Sequence, residues 1–100
     1  MVKIRWTKQS IEDIHSIREY YQDRSKKFTE KLTDNFFDKV ASLEKFPYLG
    51  RMVPEIQNEF IRELIYYNYR IIYRIISDSQ IDIIAVHNGL KPLSEESIFG

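Results

Sequence analysis

Residues Phe60 to Arg74 read FIRELIYYNYRIIYR, a stretch that sets arginines inside otherwise apolar and aromatic strand sequence. Runs this rich in Ile, Tyr and Phe favour strands, and the bend at Tyr67-Asn68-Tyr69 predicts an antiparallel hairpin. Asn68 is the residue expected to take a left-handed turn conformation, because its short polar side chain tolerates that backbone better than most. Strand side chains alternate between faces. Tyr69, Ile71, Tyr73 and Ile75 therefore share one face, while Arg70, Ile72, Arg74 and Ile76 share the other. Arg70 and Arg74, four residues apart, project from the same side of one strand at a separation of roughly 13 Å.

Working outward, Val2 to Trp6 alternates apolar with basic residues, the pattern of a first strand with one buried face. Thr7 is a candidate helix cap, and Ile11, Ile14, Ile17 or Arg18, and Tyr21 recur at helical spacing after it. The polar break Gln22-Asp23-Arg24-Ser25 closes that helix, and Ser25 caps the next. In the second helix Phe28, Leu32, Phe36, Val40 and Leu43 form an apolar stripe. Lys27, Glu30, Lys31, Asp34 and Asp38 are left for a solvated face. Pro47 ends the helical stretch, since residues before proline avoid helical geometry. Pro47 to Glu59, PYLGRMVPEIQNE, reads as a long loop, of the kind that is functional or packed by its own side chains. After the hairpin, Ser77 to Gln80 forms a polar turn and Ile81 to His87 a further strand. The tail KPLSEESIFG has weak periodicity and is expected to be ordered only by packing or by a partner. The expected fold is α+β, in the order β-α-α-β-β-β. It has an antiparallel sheet with an N-terminal strand and a helical hairpin packed on one face, in a single domain over residues 1–100.

Composition narrows the function classes. One hundred residues with 43% hydrophobic and 30% charged content suit one soluble core. No run approaches the roughly 20 apolar residues of a membrane span, and MVKIRWTKQS lacks the apolar centre of a signal peptide, so a cytoplasmic protein with no membrane partner is expected. The chain has no cysteine, which excludes disulfides and thiolate metal sites. Its formal net charge is zero, so nucleic-acid binding would require a local basic patch.

The segments PYLGRMVPE (47–55), RELIYYNYRIIYRI (62–75) and IDIIAVH (81–87), in that order after an α-hairpin, resemble the RelE/ParE toxin superfamily over nearly the whole chain. The resemblance implies the toxin half of a type II toxin-antitoxin module: a small α+β protein, without metal or cofactor, held in a hetero-oligomer by a cognate antitoxin. Gly50, Arg51, Pro54 and Glu55, with Arg62-Glu63-Leu64, are closer to the ParE-like branch, whose members poison DNA gyrase without a recognised catalytic site of their own. RelE-like members instead cleave mRNA on the ribosome. Such cleavage needs a base, a proton donor and cations for the developing phosphate charge. Under that alternative His87 is the acid/base and Arg70 and Arg74 hold the phosphate, with Arg51 and Arg62 assisting. RelE-like nucleases also place a second basic residue just after the last strand, where this chain has Asn88-Gly89-Leu90 before Lys91. A third alternative is a toxin-fold binding protein without toxicity.

Arg51, Arg62 and Tyr73 are candidate contacts for the target or the antitoxin. Structural readings stand beside each functional one. Arg70 and Arg74 can pair with Glu63, Asp82 or Glu55 across the sheet. Arg51 can fix the loop by bonding backbone carbonyls, and Gly50 answers a backbone need. His87 can be a packed or surface histidine, and His15 is expected at an exposed or rim position. Tyr66, Tyr67, Tyr69 and Tyr73 can stack on bases, or pack on the sheet with hydroxyls reaching water. Sheet edges and the grooves beside them suit capture of a partner's strand or helix, and the resemblance assigns that role to the antitoxin's C-terminal region.

Overall fold

In the computed structural model, which describes residues 1–99, the chain runs β1 (Lys3–Trp6), α1 (Lys8–Gln22), α2 (Lys26–Ala41), a 3-10 turn at Ser42–Glu44, β2 (Arg51–Met52), β3 (Ile61–Tyr66), β4 (Tyr69–Ser77), β5 (Gln80–Asn88) and α3 (Glu95–Phe99). The five strands form one sheet in the order β1-β5-β4-β3-β2. β3, β4 and β5 form an antiparallel meander, β2 adds antiparallel to β3, and β1 joins β5 in parallel. The parallel edge follows from the α-hairpin, which carries the chain across one sheet face between β1 and the meander. The α+β class and the strand and helix order follow the sequence reading. Two elements were not legible in the sequence, β2 within the 47–59 loop and α3 within the tail.

Both helices begin at the expected caps. The Thr7 hydroxyl accepts from the Ser10 N–H at 3.2 Å, and the Ser25 hydroxyl accepts from the Phe28 N–H at 3.1 Å. In α1 the inward positions are Ser10, Ile14, Ile17 and Tyr21, while Ile11, expected on the apolar stripe, is 56% exposed. Ser10 takes the inward position because its hydroxyl donates back to the Thr7 carbonyl at 2.8 Å, within the cap. In α2, Leu32, Phe36 and Val40 are buried, as is Leu43 in the following turn. These residues meet Tyr69, Ile71, Tyr73 and Ile75 of β4, so the alternation read from the sequence places the correct face of β4 against the helices.

The opposite sheet face has its own smaller core. Ile61, Ile72, Ile84 and Ala85 are covered by Val53 and Ile56 of the long loop and by Leu93 and Ile98 of the tail. Between the pairs Ile72↔Ala85 and Tyr73↔Ile83, β5 carries one extra residue, Ile84, and this bulge lets Ile84 and Ala85 both reach that core. The tail is thus ordered by packing. No helix among the described residues is long and apolar enough to cross a membrane.

The β3–β4 turn departs from expectation. Tyr67, not Asn68, has the positive φ, at 59°. In a two-residue hairpin loop with positive φ at its first position only, that position normally holds glycine. Here the ring of Tyr67 stacks on Tyr66 (centroids 5.9 Å apart) and meets Phe28 (5.7 Å), contacts that offset the backbone cost. Asn68 instead serves β5: its carbonyl accepts from the Gly89 N–H at 2.6 Å.

The loop start is fixed from within the core. The fully buried Tyr73 donates its hydroxyl to the Pro47 carbonyl at 2.8 Å and accepts from the Gly50 N–H at 3.0 Å. A β-carbon on Gly50 would lie 2.5 Å from the Glu63 carbonyl oxygen and 2.8 Å from the Tyr73 ring, so the backbone approaches too closely for any side chain. Gly50→Ala is therefore expected to destabilise the fold by about 1–3 kcal/mol in chemical denaturation. An unchanged midpoint would show that the 47–55 loop yields freely.

Candidate functional site

Four charged side chains meet on the sheet face opposite the helical hairpin. Glu63 lies directly across from Arg51 of β2 and Ile72 of β4, and Arg70 is two residues from Ile72, diagonal to Glu63. The Glu63 side chain has no solvent exposure. Its two carboxylate oxygens accept from Arg51 Nε and Arg70 Nε, each at 2.6 Å. The two terminal nitrogens of Arg70 then donate to both oxygens of Glu55 at 2.7 Å, closing a bidentate pair. Pro54-Glu55 sits in the arc that follows Val53, so this pair ties the long loop over the sheet.

The electrostatics follow from these bonds. Hydrogen bonds from Arg70 hold the Glu55 carboxyl down at about 2 from its ordinary 4.5. The Glu55 and Glu63 carboxylates in turn raise Arg70, against the opposing effect of burial. With a folded value below the unfolded one, Glu55 contributes stability that is complete above about pH 4.5 and is lost as pH falls through about 2. The side chain of Glu55 is 38% exposed, so solvent screens much of that contribution.

The other basic candidates are scattered. Arg74 stands across from Asp82 and Ile61, is exposed, and lines a shallow cleft with Tyr48, Asn58 and Phe60. Asp82 is instead held by Arg5, at 3.1 and 2.6 Å, and by Gln80 at 2.9 Å. Arg62 donates to the Glu59 and Gly50 carbonyls at 2.9 Å and lies over the Tyr48 ring at 4.9 Å. Arg62, rather than Arg51, is therefore the residue that fixes the loop through backbone carbonyls. Tyr73 is fully buried and presents no surface to a partner. The Tyr66 hydroxyl bonds Asn35 at 2.6 Å, and burial pushes the Tyr69 phenol up, with Tyr21 adding to the effect. These hydroxyls serve the fold rather than water.

His87 is in register with Arg70, half-buried, with Nε2 3.1 Å from the Lys91 carbonyl oxygen. The neighbouring Asp13 accepts from the Val86 N–H at 2.9 Å, and burial raises its pKa. His15 is exposed and pairs with Glu19 at 2.7 Å, one helical turn on. The structure thus brings Arg51, Arg70 and His87 to one region, but the Arg70 guanidinium is committed to two carboxylates. Glu63 organises the region. Its sequence signal was a single acid between Arg62 and Leu64 in a strand, where a charge on a buried face requires a partner.

The fold is that of a small α+β toxin, and the comparisons with known proteins agree. Residues 4–91 match the family described as ParE toxin of type II toxin-antitoxin system, parDE, and the chain belongs to that family. Among solved structures it is similar to the chromosomal ParDE TA system from P. aeruginosa, with a TM-score of 0.71 and 18% sequence identity over 88% of this chain and 96% of that one. No curated protein sequence matches significantly.

Glu63→Gln removes the acid shared by two arginines and leaves the 12% exposed Arg70 short of charge, so a loss of roughly 3–5 kcal/mol is expected in urea denaturation. Arg51→Gln should cost less than about 1 kcal/mol, because Arg51 is 61% exposed and Glu63 keeps Arg70. Equal losses in the two variants would contradict this division.

Proposed function

We propose that this ParE-family toxin poisons DNA gyrase in the cytoplasm by binding alone, performing no chemistry itself, and that a cognate antitoxin neutralises it. The observation that carries the reading is the state of Arg70. A phosphate-gripping arginine needs a free fork, whereas this one already donates from Nε to Glu63 and from both terminal nitrogens to Glu55. Arg74 lies four residues along β4, exposed and beside a different cleft, and His87 has a backbone carbonyl at its Nε2. In-line attack on a phosphate would require a cation and a proton carrier converging on one position. The family match supports the toxin and antitoxin parts of the reading.

The exposed aromatic and apolar side chains support a binding mode. Tyr20, Phe37, Tyr67 and Leu90 are all more than two-fifths exposed, which leaves aromatic and apolar surface available to a protein partner. The toxin is expected to make purified gyrase accumulate cleaved plasmid, and His87→Ala should do so equally well. Codon-positioned cuts in translated mRNA that vanish in His87→Ala, with supercoiling untouched, would establish the ribosome-dependent nuclease instead.

A further inference from the structure

Nucleic-acid binding by a chain of zero net charge requires a local basic patch beside a stacking surface, and one place on the molecule combines the two. Between α2 and the β3–β4 turn lies a cup of about 350 Å³ lined by Phe28, Lys31, Leu32, Tyr66 and Tyr67. Its aromatic walls are set before any ligand arrives. The Tyr66 hydroxyl accepts from the Asn35 amide at 2.6 Å, its ring stands edge-on to Phe36, and the Tyr67 ring meets both Tyr66 and Phe28. Tyr67 is still 62% exposed. A turn position with a φ of 59°, which favours glycine, thus presents an aromatic ring to solvent at the mouth of the cup.

The charge at the cup is of one sign. Lys31 borders it, and the Lys39 ammonium stands 5.4 Å from the centre of the Tyr66 ring, two helical turns along α2. Among the described residues neither lysine has an ion-pair partner, and no acid lines the cup. We propose that this cup binds single-stranded nucleic acid, with one base stacked against Tyr67 and Tyr66 and the phosphates on either side of that base held by Lys31 and Lys39. The mixed lining selects this occupant. An acidic peptide would use the lysines and leave the rings without a planar group, and a duplex keeps its bases stacked on one another, whereas a strand supplies a π-face and a phosphate with every nucleotide. Two cations hold only a short segment, so the binding is weak and tolerant of sequence. The cup shares no residue with the Glu63 network, and the proposal assumes nothing about gyrase.

The probe is hexathymidylate, titrated into the full chain at low salt while backbone amide resonances are followed. Saturable shifts at Lys31, Tyr66 and Tyr67 are expected, with a dissociation constant on the order of 1 mM. The logarithm of the binding constant should fall against that of the salt concentration with a slope of about −1.4, as two phosphates of a single strand imply. Lys31→Ala, a substitution at an exposed helical position that leaves the fold intact, should halve the slope. Tyr67→Gly removes the ring and supplies the residue that a positive φ favours, so the turn should persist while binding weakens about fivefold or more. No saturable shift at roughly 5 mM probe, a slope near zero, the same slope in Lys31→Ala, unchanged affinity in Tyr67→Gly, or equal affinity for hexaglutamate would each overturn the proposal.

Discussion

The carboxylate of Glu63, buried completely and shared by two arginines, is the interaction on which the second face of the sheet depends. A buried charge is costly unless it is paired and hydrogen-bonded, and this one receives a 2.6 Å hydrogen bond from an arginine on each oxygen. The consequence reaches well beyond one residue. Arg51 brings β2 to the sheet edge, Arg70 reaches on to Glu55, and Glu55 holds down the arc whose Val53 and Ile56 seal the small core over Ile72 and Ile84. Tyr73 reinforces the arrangement from the opposite face, tying Pro47 and Gly50 from within the main core. A long loop thus becomes a fixed part of the domain, clasped from both sides of one strand.

That constraint also bears on chemistry. Arginine holds a phosphate through the same planar fork with which it holds a carboxylate, so an arginine that saturates two glutamates has little left for a substrate. Arg70 occupies the strand position from which a nuclease reading would begin, and its surroundings engage its guanidinium with Glu63 and Glu55. The arginine with spare donors is Arg51, at the edge and half out of the protein. A toxin that acts by docking needs an oriented surface more than it needs a perturbed acid or base. Here a buried ion network and stacked aromatics hold the β2 edge and the hairpin tip in place.

Much of this was legible in the sequence where periodicity carries the signal. The alternation Tyr69, Ile71, Tyr73, Ile75 identified the helix-facing side of β4, and Thr7 and Ser25 marked both helix starts through their capping chemistry. The pairing of Arg70 with Glu63 and Glu55 was among the open readings, because a charge in a strand interior needs an opposite partner. What the sequence did not reveal was non-local. β2 is two residues long and exists because Glu63 and the Val53 core hold it there, so no local pattern announces it. Among the described residues the tail buries Leu93 and Ile98 against the small core, too few to show a period. Ile11 followed the helical spacing yet faces outward, because the cap placed Ser10 inside. At the hairpin, aromatic stacking overrode the usual turn preference and moved the positive φ from Asn68 to Tyr67.

If Arg70 and Glu63 serve the fold and not a reaction, apolar side chains of similar volume should be able to replace them together, as buried ion pairs elsewhere often permit. The direct measurement is growth arrest on induction of the Glu63→Leu/Arg70→Met double variant, with folding verified by circular dichroism. Arg51 and Glu55 are exposed enough to be hydrated once their partners are gone. The account predicts a folded protein that still arrests growth. A folded double variant that leaves growth normal would contradict it and return Arg70 to the functional site.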